Sequence, residues 1–244
     1  MSNSNLVVTN LLLCKLIEIT EQRLLSHLEE VYLTSGQFLY ETGAQITDLY
    51  FPQNATRLSS LLIMSDKSTI EITSIGNEGL AGLSAILGGN FTNTRLIVQM
   101  SGKAIKLSVN TVRQEFKQEE TLRQLLLLYT QTRLNQISQI AACRSRHEIE
   151  QRLARWLLLI FDNTQKNTLP LTQKFIASML GVRRASITEI AISFQKQGAI
   201  QYSRGQITLL DRPKLESIAC ECYGRIKAEY KRLGETKTSR KKLS

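Results

Sequence analysis

The sequence contains few cysteines and no long apolar run. Only four of its 244 residues are cysteine. That is too few for a disulfide scaffold and is typical of a protein in a reducing cytoplasm. No segment approaches the roughly 18 uninterrupted apolar residues that a membrane-spanning helix needs, so we expect no transmembrane segment. We also find no nucleophile–base–acid set and no phosphate-binding glycine-rich loop, so the sequence does not indicate an enzyme.

The excess positive charge lies in the C-terminal two-fifths of the chain. The net charge is +10; residues 1–142 hold 11 Lys+Arg and 12 Asp+Glu, whereas residues 143–244 hold 20 and 9. This asymmetry predicts a nearly neutral module joined to one that binds a polyanion, either nucleic acid or an acidic membrane face. The alternative is a solvated basic surface followed by a basic, disordered tail over residues 231–244.

Residues 31–108 are predicted to form short β-strands. Alternating apolar runs recur there, separated by glycines and Pro52 at turn-like intervals. The runs are residues 31–33, 38–40, 49–51, 70–72, 96–98 and 105–107. Strands of this length and spacing indicate a compact antiparallel barrel or roll. The apolar segment at residues 6–14 is expected to open a small helix that packs on it.

Residues 109–142 have a helical pattern instead. One apolar stripe repeats at alternating three- and four-residue spacing: Leu127, Thr130, Leu134, Ile137 and Ala141. A second set widens the apolar surface: Leu122, Leu125, Leu126, Leu128 and Tyr129. A helix with two apolar sides must bury both, so we expect one side to pack on the roll and the other on a second copy of the helix. The alternative is a one-sided core helix in a monomer.

Residues 171–195 predict a helix-turn-helix, after a separate helix at residues 148–164. Thr172 is a good N-cap, and Gly181 supplies the positive φ that the turn needs. The buried faces of the two helices would be formed by Phe175, Ile176, Met179 and Leu180, and by Ile187, Ile190, Ala191 and Phe194. Residues 199–210 predict two strands around an Arg204-Gly205 turn, which is typical of a wing.

Several side chains would face outward at the start of the second helix: Arg183, Arg184, Ala185, Ser186, Thr188 and Glu189. A major groove admits one helix that enters with its N-terminal turns. Together with the wing and the charge asymmetry, this edge predicts DNA binding.

Over nearly its whole length the sequence resembles the Crp/Fnr family of bacterial transcription regulators. The match rests mainly on the winged helix-turn-helix segment. Further matches are Thr42-Gly43-Ala44, Tyr50-Phe51, residues 76–82, the long helix and Arg152. The resemblance implies an α+β fold. It would consist of an antiparallel, cyclic-nucleotide-binding-like β-roll (a double-stranded β-helix) at residues 1–108, a dimerisation helix and hinge at 109–147, and a winged helix-turn-helix at 148–230.

The resemblance also implies how DNA would be read. Arg184 aligns with the family's leading base-reading arginine, which can contact guanine in a bidentate manner worth about 1–3 kcal/mol of discrimination. Ala185 and Glu189 occupy the other base-reading positions, where the family often has an acid and an arginine; Thr188 lies on the same edge. The target site should therefore differ from the familiar catabolite-activator site. The expected phosphate contacts are Thr172, Lys174, Arg183, Ser186 and Arg204.

The aligned effector pocket departs from the nucleotide-binding members. Their Gly-Glu-x-Gly segment reads Gly79-Leu80-Ala81-Gly82 here, without the acid, and their Arg-Ser pair aligns with Thr94-Arg95. The position that meets the purine holds Ile137, beside Ser138. We therefore do not expect conventional cyclic AMP as a cofactor. The sequence leaves open the alternative that Arg95 binds an anionic ligand.

The cysteines suggest no iron–sulfur sensor, because such members of the family place several cysteines near the N-terminus and this chain has only Cys14 there. Cys220 and Cys222 form a short motif that could bind metal or oxidise, with Cys143 and His147 as helpers. No second ligand pair has zinc-like spacing. We therefore expect buried structural thiols and no metal site.

The sequence thus predicts a cytoplasmic, homodimeric, sequence-specific DNA-binding transcription regulator. Its partners would be double-stranded DNA, a second copy and RNA polymerase, with no membrane. The apolar stripe from Leu127 to Ala141 would form the seam between the two long helices of the dimer. A signal would act through this seam and through a hinge at residues 143–148. The alternative is a ligand-binding signalling module whose basic C-terminal domain docks on acidic partners without reading DNA sequence.

Overall fold

A computed structural model describes residues 6–235 as a β-roll, a long helix and a winged helix. The helices are α1 (Leu11–Ile19), α2 (Leu83–Ile86), α3 (Val109–Gln118), α4 (Glu120–Arg146), α5 (Ile149–Thr164), α6 (Gln173–Leu180), α7 (Arg184–Lys196), α8 (Arg212–Ile218) and α9 (Cys222–Glu235). The strands are β1 (Glu29–Leu33), β2 (Phe38–Tyr40), β3 (Asp48–Pro52), β4 (Arg57–Ile63), β5 (Thr69–Ile75), β6 (Arg95–Met100), β7 (Gly102–Ser108), β8 (Thr168–Pro170), β9 (Ile200–Ser203) and β10 (Gln206–Leu209). The α+β class is confirmed.

Two antiparallel sheets form the roll, in the strand orders β1-β7-β3 and β2-β6-β4-β5. Alternation along the strands directs apolar side chains inward. Leu49 and Phe51 of β3 lie opposite Leu107 and Ile105 of β7, and all four are buried. This pairing fixes the register, because a slip of one residue would expose the whole set.

Strand β4, which lies inside the second sheet, was not among the strands predicted from the sequence. Its register shifts between Arg57 and Leu58 against β6, and between Ser60 and Leu61 against β5. Each irregularity interrupts the two-residue period on which strand prediction depends. Ser59, a polar residue in this strand, is fully buried.

Helix α4 has two different faces. Leu122, Leu125, Leu126 and Tyr129 are buried in the core of the roll, which confirms the expected packing of this side. The Tyr129 hydroxyl donates to the Leu80 carbonyl and accepts from the Leu80 amide, both at 3.0 Å.

The other face of α4 carries the predicted seam. Leu127, Leu134 and Ile137 are 49%, 55% and 37% exposed, respectively, Ala141 is exposed, and Thr130 is half-buried.

The C-terminal part packs directly on the roll. Helix α5 starts with a capping box between Glu148 and Gln151 and buries Trp156. Its apolar cluster includes Leu61 and Ile97 from the roll. Helix α9 returns along α4. Among residues 6–235, no helix is both long enough and apolar enough to span a membrane.

Three predicted boundaries need correction. Helix α1 begins at Leu11, because the Asn10 side chain caps it by accepting from the Leu13 amide. Of the predicted hinge at residues 143–148, residues up to Arg146 belong to α4, since no glycine or proline interrupts the helix there. Residues 231–235 of the predicted disordered tail are helical, and residues 236–244 lie outside the described residues.

Candidate DNA-binding surface and effector cavity

Local sequence features determine the turn between α6 and α7. The Thr172 hydroxyl accepts from the Phe175 amide at 3.2 Å and so caps α6. Gly181 ends α6 with φ +66°. The Arg152 guanidinium donates to the Leu180 carbonyl at 2.9 Å, which places a cation at the C-terminus of α6. The predicted helix-turn-helix is therefore present.

The first turns of α7 present the predicted edge to solvent. Arg183, Arg184, Ala185 and Glu189 are exposed, and Ser186 is half-buried. No ion pair involves either arginine within the part of the chain that the structure describes. Their charges are therefore available to an external anion.

Thr188 has a structural partner, unlike the other predicted base-reading residues. Its hydroxyl donates to Gln173 Oε1 at 2.9 Å and lies 3.2 Å from the Arg184 carbonyl. This bond joins α7 to the start of α6. If Thr188 contacted a base, its hydroxyl would have to give up part of its hydrogen bond to Gln173. The sequence could not reveal this hydrogen bond, because the two residues lie on different helices.

The wing lies beside the same edge. Strands β9 and β10 pair with Ser203 opposite Gln206, and both turn residues, Arg204 and Gly205, have positive φ. The position of a Cβ on Gly205 would be 3.5 Å from the Thr172 side chain, so the wing tip lies against the N-terminus of α6. Thr172, Arg204 and the nearby Lys174 are all exposed.

Hydrogen bonds hold the wing on both helices. The Gln173 amide donates to the Tyr202 hydroxyl at 3.1 Å, and the Tyr202 amide donates to Gln195 Oε1 at 2.7 Å. Helix α6, helix α7 and the wing therefore form one continuous surface, which carries Lys174, Arg183, Arg184 and Arg204.

A cavity of about 280 Å³ lies between the roll and α4. Four of the predicted pocket residues line it: Leu80, Gly82, Thr94 and Ile137. Its size is near the lower end of the range for small-molecule sites.

The other three predicted pocket residues, Gly79, Arg95 and Ser138, do not line the cavity. A Cβ on Gly79 would lie 2.2 Å from the Tyr129 hydroxyl, so this glycine allows close packing. Arg95 Nε donates to Glu41 at 2.7 Å, and the Arg95 guanidinium lies 4.6 Å above the Phe38 ring, both away from the cavity lining. Ser138 lies in a separate groove between α4 and α9. Arg95 is therefore already paired, which weakens the idea that it holds an anionic ligand.

Arg133, which was not among the predicted pocket residues, lines the cavity and is only 8% exposed. Its guanidinium donates to the Ser74 carbonyl at 2.7 Å, to Gln136 Oε1 at 2.6 Å and to the Tyr230 hydroxyl at 3.3 Å. Burial opposes its charge, but its interactions with Tyr129 and Tyr230 outweigh burial and raise its pKa. The sequence does contain one indication that Arg133 lines the cavity: it lies on α4 one turn before the predicted pocket residue Ile137.

The partners of Arg133 connect three parts of the fold. Gln136 Oε1 also accepts from Thr73 of β5 at 2.9 Å and from Tyr230 of α9 at 2.7 Å. The cavity therefore shares one buried polar network with the last helix of the C-terminal part.

Comparison with known proteins agrees with this geometry. The family model of the Crp-like helix-turn-helix domain matches residues 151–218. These residues form a Crp-like helix-turn-helix domain. The match contains α6, the turn, α7 and the wing, and so assigns DNA binding to this part of the chain. Among curated proteins, none matches the sequence.

Solved structures show the same fold over about four-fifths of the chain. A protein assigned to the Crp/Fnr family of transcriptional regulators, from Eubacterium rectale, is 20% identical with a TM-score of 0.67, covering 82% of this chain and 93% of that one. FixK2 from Bradyrhizobium japonicum is 14% identical with a TM-score of 0.68, covering 79% and 98%. CLP, a c-di-GMP-responsive global regulator from Xanthomonas campestris, is 15% identical with a TM-score of 0.64, covering 79% and 98%. The chain has the Crp/Fnr regulator fold, with a Crp-like helix-turn-helix domain at its C-terminal end.

Proposed function

We propose that the protein is a sequence-specific transcription regulator that binds double-stranded DNA as a homodimer. The exposed, unpaired cations at the start of α7, beside a wing with Arg204 at its tip, are the observation that carries this proposal. Such a surface matches the major groove in shape and the phosphates in charge.

Different residues of this surface would have different tasks. Arg184, Ala185 and Glu189 would face base edges, with Arg184 donating to guanine and Glu189 accepting from a cytosine amino group. Thr172, Lys174, Arg183, Ser186 and Arg204 would contact phosphates, which position the protein without specifying the sequence. Thr188 would act mainly by holding α7 against Gln173.

The seam of α4 supports a homodimer. Leu134 is more than half exposed in one chain, and Leu127 and Ile137 extend the same apolar stripe. A second copy of α4 would bury this stripe in a parallel arrangement. Two recognition helices would then enter successive major grooves about 34–36 Å apart on a roughly palindromic site.

The cavity would take an effector other than conventional cyclic AMP. The segment at residues 79–82 offers no carboxylate for a ribose hydroxyl, and Arg95 is paired with Glu41. Arg133 is the cation that lines the cavity, and neutral groups accept its hydrogen bonds. A ligand that engages Arg133 would compete with Tyr230 and so reach the C-terminal part. The likeness to CLP supports an effector of a different kind, because that protein responds to c-di-GMP.

The proposal places the protein in the cytoplasm, gives it RNA polymerase as a further partner, and includes no catalytic step. Its alternative is a module whose basic end docks on acidic proteins or lipids. The presence of helix α7 beside the wing favours DNA, because docking on an acidic surface does not need a groove-sized helix.

Selection from a random pool of duplex DNA tests the proposal, using the full chain with and without cyclic AMP. We expect an enriched palindrome in both conditions. Enrichment only with cyclic AMP would show that our view of the cavity is wrong. Salt-dependent binding without any enriched sequence, in either condition, would favour the docking module.

A further inference from the structure

Four potential metal ligands converge where α4 ends. Cys143 is in the last turns of α4, and His147 follows this helix directly. Cys220 and Cys222 lie before and at the start of α9. All four ligand atoms lie within 4.8 Å of one another, and the three cysteines are buried. The two pairs are far apart in sequence, so only the fold brings them together.

Two distances within this cluster already match the edges of a single tetrahedral site. Cys143 Sγ lies 3.5 Å from Cys220 Sγ, and Cys222 Sγ lies 3.6 Å from His147 Nδ1. Metal–ligand bonds of about 2.3 Å for sulfur and 2.0 Å for nitrogen give tetrahedral edges of roughly 3.5–3.8 Å. An iron–sulfur cluster is a worse match, because its cysteines bind separate iron atoms and need a wider set.

The groups around the cluster are those that support a bound metal. His147 Nε2 lies 3.1 Å from a carboxylate oxygen of Glu221 while its Nδ1 faces the sulfurs. Metal-binding histidines usually donate their second N–H to such a carboxylate, which fixes the ring and its tautomer. Gln139 Nε2 also donates to Cys222 Sγ at 3.0 Å.

Arg155 supplies a buried positive charge beside the cluster. Three thiolates and one neutral imidazole around a divalent cation leave a net charge of about −1, which would be costly in a buried site. Arg155 is 4% exposed and close enough to interact electrostatically with both Cys143 and Cys220. Its Nε has no hydrogen-bond partner among the described residues. This buried cation can balance the charge of the site.

We propose that Cys143, His147, Cys220 and Cys222 bind one zinc ion in a closed Cys3His site. This replaces our sequence-based expectation of plain buried thiols without a metal. Cys143 and His147, four residues apart, are the second ligand pair that spacing alone did not reveal. The ion would join the end of α4 to the start of α9 and so hold the C-terminal part in a fixed position on the long helix.

The metal content of the full chain is the direct test. The protein should be purified under reducing conditions without a histidine tag, and zinc measured by mass spectrometry. We expect about one zinc per chain. After removal of zinc with a chelator, Co²⁺ should restore the site and produce the visible absorption of tetrahedral cobalt together with thiolate-to-cobalt charge transfer.

Variants define the ligands. Cys143→Ser and Cys220→Ser should each lose most of the zinc, whereas the matched control Cys14→Ser should keep it, because Cys14 is exposed and outside the cluster. Glu221→Gln should keep the ligands and lower metal affinity about 10–100-fold. This milder variant keeps the test valid even where a cysteine variant fails to fold.

Three results would overturn the proposal. One is wild-type protein that carries no zinc and, in the reduced state, gives no tetrahedral cobalt spectrum. Another is an equal loss of metal in Cys14→Ser. The third is a Cys143–Cys220 disulfide in a separate sample purified without reductant, found by thiol titration and peptide mapping, since it would consume two of the four ligands. None of these measurements depends on DNA binding, so the zinc site and the proposed regulator can fail separately.

Discussion

The indole N–H of Trp156 donates to the carboxylate of Glu71 at 2.9 Å, inside the contact between the C-terminal part and the roll. Both residues are at least 94% buried. Ser59 donates to the other carboxylate oxygen at 2.5 Å, and Arg144 donates to the Glu71 carbonyl. One strand residue therefore receives hydrogen bonds from the roll, from α4 and from α5.

This relationship predicts the effect of Trp156→Phe. The substitution keeps an aromatic ring but removes the donor, so a buried carboxylate loses one hydrogen bond. We expect the free energy of unfolding to fall by about 1–3 kcal/mol. Urea denaturation measures it, with Tyr32→Phe as the control, because Tyr32 is 69% exposed. An unchanged midpoint for Trp156→Phe would mean that the bond contributes nothing.

Arg184→Ala tests the base-reading assignment. Loss of a bidentate contact to guanine should relax the preference at one position in each half-site, by about 1–3 kcal/mol. Binding to a panel of single-base variants of the selected site measures this. A uniform loss of affinity over the whole panel would instead class Arg184 as a phosphate contact.

Lys174→Ala should behave differently, because a phosphate contact carries no sequence information. We expect weaker binding to all sequences and a salt dependence whose slope falls by about one. Affinities at several salt concentrations provide the slope. Altered base preference with an unchanged slope would contradict the assignment.

Leu134→Glu tests the seam. The side chain is 55% exposed in one chain, so the fold should tolerate the charge, but a dimer would have to bury it. Sedimentation should show monomers, and binding to the palindrome should be lost at the same time. The matched control is Met64→Glu, which puts the same charge on another exposed apolar residue, 52% exposed and outside α4. A dimeric Leu134→Glu protein with normal DNA binding would exclude this seam.

Asp162→Asn should destabilise the protein in a pH-dependent way. Burial opposes ionisation of Asp162, but hydrogen bonds from Tyr223 and Arg212, with the charges of Arg212 and Lys227, outweigh it and lower its pKa. A carboxyl group with a lowered pKa in the folded state stabilises the fold above its unfolded pKa of about 3.9, and this contribution disappears as the pH falls through the folded value.

Urea denaturation at several pH values measures that effect. The difference between the wild type and Asp162→Asn should be full near neutral pH and should shrink below about pH 4. The exposed Glu18 provides the control, since Glu18→Gln removes one carboxylate without breaking a side-chain hydrogen bond among those described. A pH-independent difference would mean that the carboxylate charge does not matter.

The sequence alone could predict the helix-turn-helix and the wing because their signals are local. The Thr172 cap, the positive φ of Gly181 and the Arg204-Gly205 turn each act within a few residues, and the structure has all three. The two faces of α4 were also predictable, because apolar periodicity along one helix determines which sides need partners. Strand β4 was missed where register shifts interrupt the period.

Only the tertiary structure decided what lies in the cavity and at the end of α4. Arg95, next to the aligned pocket position, is directed to Glu41, whereas Arg133 on another element lines the cavity. Cys143 and Cys220 are 77 residues apart in sequence, yet their sulfurs are 3.5 Å apart. Local rules of caps, turns and periodicity cannot predict such contacts, because they arise when separate elements pack together and their side chains compete for the same partners.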